Sequence, residues 1–562
     1  MHISVQGKFL LAKFPLTSEN MQLFTNLPGF RKWVGRHVAF SPTGANIEYV
    51  KKNWASADWD NDAEIFLEQY SDVVKSATNT RNFTTPATDD FMFKTKPYEH
   101  QRQSFYLSRD KANFGLFMEQ GTGKTKVAID TAAYLYSKSR INCLVIVAPN
   151  GVHNQWLDKQ LPDHMPDWCI HESIHYYSGM NKSHETKFNA LIAKKEILKV
   201  FAFNIESFVS KKSKEYLEKI LLSHETLLVV DESSRIKTPG ANRTKVLTKL
   251  GKLAKYKRIL TGTPVTKGVE DLYAQFTFLD PYILGYDSFY TFKANYCITR
   301  EYEGRRWIVG YRNTDELIHS IKGHSFRVLK SECLDLPPKI YQRHKYELSK
   351  EQKRLYTSLK EEFIAELDGE EVSVPETITR MLRLQQVACG WFPDKKEVKP
   401  IEENNPRLKA LSDVLSTIDQ KTIIWCRFRA DIMAIHNMLK DSCVLYYGSV
   451  SNEQRATNIK LFQENPKVKY FVGHAQAGGL GLNLTAAQYA VYYSNSFDLE
   501  MRLQSEDRCH RIGTTGNVTY IDIEANNTLD TYIIKALRKK KSLADMVNED
   551  PKCSFLGDED DG

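Results

Sequence analysis

GLFMEQGTGKTKVAID (115–130) is the stretch on which the reading of this chain turns. An apolar run stops at a glycine-rich turn, and a helix-forming stretch follows at once. A phosphate-binding loop needs that order: glycines so that backbone N–H groups can wrap a β-phosphate, a lysine for the β/γ oxygens, and a hydroxyl for Mg²⁺. Gly121, Thr122 and Gly123 supply the turn, Lys124 the charge and Thr125 the hydroxyl. The helix opening there adds the partial positive charge of its N-terminus. The general pattern GxxxxGK[ST] has a glycine where Met118 stands, a departure that loops of the form xxGxGKT accept. The expected ligands are ATP and Mg²⁺.

Working outward, LLVVDESS (227–234) reads as a buried strand ending in an acidic pair, at the strand end where α/β sheets place ligands. Asp231 is expected to hold Mg²⁺, largely through water, and Glu232 to orient and polarise the attacking water. Upstream, PYEHQRQ (97–103) offers Gln101 to read an adenine edge through two hydrogen bonds and Tyr98 to stack on the base. Far downstream, QSEDRCHRIG (504–513) places Arg508 and Arg511 three residues apart, which on a helix is one face. Facing the nucleotide from a second half, they would act as arginine fingers, worth roughly 10³–10⁵ in rate in comparable enzymes. Gln504 sits one turn earlier, near the same interface.

The strand pattern extends on both sides. CLVIVAPN (143–150), TLLVVDES (226–233), RILTGTP (258–264), TIIWCR (422–427), YFVGHA (470–475) and VTYIDI (518–523) are short β-branched runs that end in polar or glycine-rich loops, as buried parallel strands do. They cluster at roughly 110–265 and 420–525, with helical patterns between them. The expected fold is α/β: two parallel-sheet lobes, an inserted helical region and a small N-terminal α+β domain. The boundaries read as 1–85 for the N-terminal domain, 90–285 for the first lobe, 286–400 for the helical protrusion, 401–548 for the second lobe and 549–562 for an acidic, disordered tail. TTPATDD (84–90) reads as a linker, and SKEQKRLYTSLKEEFIAELDGEE (349–371) is an amphipathic helix of the protrusion.

Composition bounds the remainder. The 562 residues carry a formal charge of +8, which favours a polyanionic partner. Nine cysteines are scattered singly with no CxxC pair, so a reducing compartment is expected and a structural zinc is not. No apolar run is long enough to span a bilayer, and the N-terminus lacks the features of a signal peptide. The expectation is a soluble monomer in the cytoplasm of a bacterial or phage-infected cell, or in the nucleus if the source is eukaryotic.

Taken together, GTGKT, DESS-RIK, LTGTP, AGGLGLNL and DRCHRIG resemble the superfamily 2 helicases, and within them the Swi/Snf-type DNA translocases, in order and spacing. VIVAPNGVHNQW (145–156), FRVLKSECLDLPPK (326–339) and YYGSVSNEQR (446–455) match further segments of that family, over about residues 92–545. The resemblance implies RecA-like lobes that close on one ATP, a duplex-DNA track and helical protrusions in mid-chain. Three departures stand out: Ser234 where the family usually has histidine, SNSFDLEMR (494–502) without Trp-Asn-Pro, and Thr514 in place of glutamine. Ser233, TLDTYIIKAL (528–537) and the small size resemble the annealing-helicase branch, as does the stretch 27–54.

For nucleic-acid contact, backbone-facing loops give a grip that is independent of sequence. Pro149 and Asn150, with Gly262 and Thr263, are expected to line the first lobe, and Ala477, Gly478 and Gly479 the second. RKKK (538–541) is a further basic run. In the N-terminal domain Trp33, Trp54 and Trp59 with Arg31, Lys32, Arg36, Lys51 and Lys52 could form an aromatic-basic DNA surface. Three functions stay open at this point: a duplex translocase that remodels branched DNA, a strand-separating DNA or RNA helicase, and an ATP-gated clamp.

Overall fold

The computed structural model describes residues 1–537 apart from 8, 30, 82, 267, 287, 303–304, 334–336, 370–381, 394–397, 476–481, 483, 497, 511–515, 532 and 535–536. Arg511, Thr514, Ala477, Gly478, Gly479, RKKK (538–541) and the acidic tail lie outside the described residues. The chain forms two compact units that divide after Cys333.

The first unit opens with a five-stranded sheet of β1 (His2–Gln6), β2 (Phe9–Lys13), β3 (Arg31–Val34), β4 (His37–Phe40) and β5 (Asp58–Trp59), in the order β3-β4-β2-β1-β5. Helices Gly44–Asn53, Asn61–Gln69 and Ser71–Arg81 accompany it. Ile3, Leu10, Phe24, Phe40, Ile47 and Val50 form its core. The main sheet follows with β6 (Asn113–Met118), β7 (Cys143–Ala148), β8 (His171–Tyr176), β9 (Leu198–Asn204), β10 (Thr226–Asp231) and β11 (Tyr256–Leu260). An antiparallel hairpin of β12 (Cys297–Tyr302) and β13 (Arg305–Tyr311) precedes β14 (Ser325–Val328), which returns to the main sheet beside β6. The order is β14-β6-β11-β10-β7-β9-β8, and each pairing is parallel.

A sheet covered on both faces needs apolar residues at consecutive positions, and β7 and β10 are buried along their whole length. Alternate side chains go to opposite layers. Val145, Val147, Leu228 and Val230 enter one core, and Leu144, Ile146, Leu227 and Val229 enter the other. Because the strands are parallel, the loops after β6, β7, β10 and β11 emerge at one carboxyl edge.

The second unit is built on β15 (Lys339–Tyr346), a small hairpin of β16 (Trp391–Pro393) and β17 (Val398–Pro400), then β18 (Thr422–Cys426), β19 (Cys443–Tyr446), β20 (Tyr470–His474), β21 (Tyr489–Tyr492) and β22 (Val518–Ala525). Its sheet order is β15-β22-β21-β18-β20-β19, again parallel throughout. Ile424, Val472 and Ile521 line one core, and Ile423, Trp425 and Phe471 the other. All six runs picked out from β-branched content are strands.

The described residues of the interval 286–400 hold strands as well as helices. β14 completes the first sheet and β15 the second, so each lobe borrows an edge strand from that interval. Edge strands are half-exposed, and their mixed composition (SFRV, KIYQRHKY) hides them from a search for apolar runs. The amphipathic stretch does form a helix, Lys350–Gly369.

The N-terminal domain packs on the first lobe within the first unit. Arg31 Nη1 lies 2.5 Å from Glu316 Oε1. Ser41 Oγ donates to the Gly285 carbonyl at 2.6 Å, and Thr80 Oγ1 to that of Gly323 at 2.6 Å. A Cβ at Gly323 would meet the Ala77 Cβ at 2.7 Å, and the Tyr70 and Tyr282 rings are 4.0 Å apart. Trp54 stacks on Phe24 and Trp59 packs on the domain core, so neither belongs to an open aromatic face. Of the expected surface, Lys32, Trp33, Arg36, Lys51 and Lys52 remain exposed. Arg31 is taken by Glu316, and Lys32 Nζ lies over the Phe9 ring at 4.6 Å.

Candidate nucleotide site

The site grows from the carboxyl edge of the first main sheet. β6 ends at Met118, and the helix Lys124–Ser137 begins after Gly123. Gly121 and Gly123 have φ of +80° and +96°, values that favour glycine and turn successive N–H groups the same way. Thr122 is fully buried and pins the loop by donating from Oγ1 to the Glu119 carbonyl at 2.7 Å. Lys124 opens the helix and is 8% exposed; Thr125, next to it, is half-buried.

Gln101 lies under this loop. Its Nε2 donates to the Thr122 carbonyl at 2.9 Å, and its Oε1 accepts the Tyr98 N–H at 3.1 Å. His100 Nε2 is 2.8 Å from the same Thr122 oxygen. A Cβ at Gly123 would fall 2.2 Å from the Gln101 amide nitrogen, so the glycine permits that approach. The oxygen and the nitrogen of the Gln101 side-chain amide are therefore both engaged within the protein, and reading an adenine edge would require it to exchange a partner. Tyr98 is 47% exposed and stacked on His100, a position from which it can meet a base.

β10 delivers Asp231 as its last residue. Asp231 Oδ2 accepts the indole N–H of Trp156 at 2.8 Å, and Oδ1 accepts the Glu232 N–H at 2.9 Å. Burial raises the Asp231 pKa above its ordinary value, and the charge of Lys124 and the Trp156 hydrogen bond work against that rise. Glu232 has φ of +51°, a strained conformation for a non-glycine residue, of a kind that collects at functional sites. Gln120 Nε2 donates to Glu232 Oε1 at 3.3 Å.

The loop after β11 meets both neighbours. A Cβ at Gly262 would lie 3.0 Å from the Gln120 N and 3.4 Å from the Glu119 carbonyl carbon, so this glycine rests against the phosphate loop. Gly262 itself is half-buried. Thr263 stays half-buried, with its N–H on Thr261 Oγ1 at 3.1 Å. Ser233 Oγ donates to Gln275 Oε1 at 2.7 Å, and Gln275 Nε2 donates to the Pro264 carbonyl at 2.7 Å. Lys237 bonds Thr266 Oγ1 and lies 3.4 Å from Asp271, which also accepts the Thr266 N–H at 2.9 Å. Pro149, expected to face nucleic acid, is buried; its carbonyl accepts the N–H groups of Val152 and His153, and Asn150 beside it is exposed.

Gln120, Trp156 and Gln275 are site residues that the sequence reading did not single out. Trp156 closes a segment already marked by its family resemblance. Gln275 is a fully buried polar residue in an apolar helix, DLYAQFTFL, and nothing in the local pattern separates it from a surface glutamine.

These residues suit a magnesium nucleotide. A glycine cradle faces a helix N-terminus, and a buried carboxylate beside Lys124 gains from a cation. Among the described residues no three His, Cys, Asp or Glu side chains converge on one metal position. Mg²⁺ bound with a nucleotide typically takes one or two protein oxygens and shares the rest of its shell with phosphates and water.

In the second unit the helix Leu499–Glu506 carries Gln504, which is buried. The helix ends at Glu506, so Arg508 lies in the turn that follows it. Cys509 is fully buried in the second core, and the Arg508 carbonyl accepts the Leu484 N–H at 3.0 Å. Arg508 is 6% exposed and its charge reaches Tyr446. The segment is tied to the start of β15: His510 Nε2 lies 2.7 Å from the Pro337 carbonyl oxygen, and Lys339 Nζ lies 3.1 Å from Glu506 and 3.4 Å from Asp507. No helix among the described residues is long and apolar enough to cross a membrane.

Comparison with known proteins places this geometry. Residues 69–391 match the model of the SNF2-related domain, and residues 406–513 that of the helicase conserved C-terminal domain. The mouse DNA annealing helicase and endonuclease ZRANB3 is 26% identical over 492 residues, which cover 84% of this chain and 42% of that protein. The human lymphoid-specific helicase is 24% identical over 514 residues, covering 76% of this chain and 59% of that one. This chain thus spans less than half the length of the first relative. Among solved structures, the Sulfolobus solfataricus SWI2/SNF2 ATPase core in complex with dsDNA aligns at 22% identity and a TM-score of 0.37, covering 84% of this chain and 96% of that one. The domain match at 69–391 takes in more than half of the 562 residues, and with the helicase C-terminal match behind it the chain belongs to the SNF2-related branch of the superfamily 2 helicases.

Proposed function

We propose that this chain is an ATP-driven translocase on duplex DNA that remodels branched DNA such as forks and repair intermediates. One observation carries most of the weight. The phosphate loop, the acidic pair and the Thr261–Gly262–Thr263 loop are interlocked, through Gly262 against Gln120 and through the chain Ser233–Gln275–Pro264. A site built only to hydrolyse ATP has no need of a third loop bound to the other two. A motor does, because nucleotide state must be passed to a track-facing segment.

In this reading the loop of Gly121 to Gly123 and Lys124 bind the phosphates, and Tyr98 and Gln101 hold the base. Asp231 and Thr125 hold Mg²⁺, which when bound neutralises charge developing on the β and γ oxygens. Glu232 orients water for in-line attack. Arg508 and Arg511 are assigned as arginine fingers, as the family resemblance implies. Thr263, Asn150, Gly478, Gly479 and Gln504 are assigned to contact with the track or to coupling.

ATPase rate measured on duplex, forked and four-way DNA, single-stranded DNA and RNA tests the substrate, and displacement of a triplex-forming strand tests movement. Duplex and branched DNA should stimulate most, with triplex displacement dependent on ATP. Stimulation chiefly by single strands or RNA would replace the proposal with a strand-separating helicase. Stimulation by duplex without displacement would replace it with an ATP-gated clamp.

A further inference from the structure

The helical run after Pro149 changes character along its length. Val152–Gln155 is α-helical, Trp156–Gln160 is a π turn, and Leu161–His164 is α-helical again. A π turn is rare, and such turns occur mostly as single insertions at functional sites. Pro162 supplies a local cause, since it has no N–H to give to the carbonyl four residues back. The hydrogen-bond ladder is thus interrupted just beyond the wide turn.

Trp156 stands at the head of this turn. Its indole N–H reaches Asp231 Oδ2 at 2.8 Å, although 75 residues separate the two in sequence. Trp156 is 1% exposed and Asp231 5%. With the Glu232 N–H on Oδ1, the Asp231 carboxylate is held from two sides. A buried indole needs some acceptor, but here the acceptor is the acid that is assigned the cation. The other end of the run is anchored to a surface loop. Pro149 caps Val152 and His153 through its carbonyl, His153 Nδ1 lies 3.3 Å from the same oxygen, and Gly151 turns the chain at φ +83° next to exposed Asn150. A shift of Asn150 is therefore carried to Trp156 by a short stiff segment.

We propose that Trp156 is a positioning residue that sets the Asp231 carboxylate for its cation and links it to the loop at Asn150. This rests on the reading of Asp231 as the Mg²⁺-holding acid and of Asn150 as lying on the nucleic-acid side. Trp156 touches no substrate itself; it acts through Asp231.

Trp156→Phe keeps an aromatic ring in the core and removes only the donor. Mn²⁺ binding is followed by electron paramagnetic resonance in the presence of a non-hydrolysable ATP analogue, alongside thermal stability and ATPase rate with and without duplex DNA. Metal affinity should fall about tenfold, the size expected when a hydrogen-bond partner of a metal-binding carboxylate is lost. The factor by which DNA stimulates hydrolysis should fall as well. A folded variant with wild-type Mn²⁺ affinity overturns the proposal. Loss of metal affinity with DNA stimulation intact overturns its link to Asn150. Wild-type protein with no DNA stimulation at all would instead defeat the translocase reading and leave the metal result standing. Should the variant not fold, ¹⁵N-indole spectra of the wild type decide. At least one of the eight tryptophan N–H signals should shift and change its exchange rate when the Mg²⁺-loaded analogue binds, and no change in any of them overturns the proposal.

Discussion

Gly262→Ala puts one methyl group between two loops that act on the same nucleotide. The new Cβ would stand 3.0 Å from the Gln120 backbone nitrogen, 3.2 Å from its Cγ and 3.4 Å from the Glu119 carbonyl carbon. Two of those atoms are backbone of the phosphate loop, which Thr122 and Gln101 hold in place, so relaxation by a side-chain rotation is not open. The loops must separate by a few tenths of an ångström or bear the overlap, which costs about 1–3 kcal/mol. The share of that cost borne by the resting protein lowers thermal stability, and only the share confined to the active arrangement lowers the rate. At 1.36 kcal/mol per tenfold the range corresponds to about 5- to 150-fold. ATPase rate is measured against ATP concentration, with and without saturating duplex DNA. The DNA-stimulated kcat should drop within that range while KM for ATP changes by less than about threefold, because the loop contacts in the resting state are only displaced. An unchanged stimulated rate would refute the claim that Gly262 couples the loops. A rise in KM alone would show that the glycine serves nucleotide binding instead.

The remaining expectations follow from single contacts. Lys124→Ala should abolish hydrolysis and leave DNA retention in a gel-shift assay largely intact, whereas Glu232→Gln should bind ATP normally and turn over at least about 100-fold more slowly; measurable turnover in the first or lost ATP binding in the second contradicts the assigned roles. Arg31→Met leaves Glu316 facing a half-buried site without its guanidinium, and should lower stability by about 1–3 kcal/mol, less than for a fully buried pair, as read by chemical denaturation. A chain starting at residue 90 loses that pair, the Thr80 bond to Gly323 and the Tyr70–Tyr282 contact; it should melt earlier than the full chain in calorimetry, and an unchanged first transition would show the domain to be a separate module. Burial pushes the Asp431 carboxyl up to about 6 from its ordinary 3.8, against hydrogen bonds from Trp391 and Ser494. Folded protein therefore binds this proton more tightly than unfolded protein, and the contribution is full below pH 3.8 and is lost as pH rises through 6. Asp431→Asn should flatten the fall in melting temperature between about pH 4 and 7.

The sequence by itself determined the two parallel sheets and the chemical core of the nucleotide site. Both follow from local rules: strands buried on two faces must be apolar at consecutive positions, and a phosphate loop must place glycine, lysine and hydroxyl in fixed order. Asp231 and Glu232 were legible for the same reason, as the polar end of a buried strand. Other features were decided only by tertiary structure, because their partners lie far away in sequence. Trp156 reaches Asp231 across 75 residues of sequence, and Gln275 joins Ser233 to Pro264 from a separate helix. Pro149 is buried although its motif suggested an outward face, and Gly262 meets Gln120, a contact that no local pattern announces. β14 and β15 are half-exposed edge strands whose mixed side chains carry little periodic signal; what makes them strands is the hydrogen-bonding edge of β6 and of β22. The aromatic and basic residues of the N-terminal domain looked like a surface when counted. Folding sends Trp54 and Trp59 to a core and Arg31 to Glu316, because burying a ring or pairing a charge depends on what stands opposite, and composition holds no record of that.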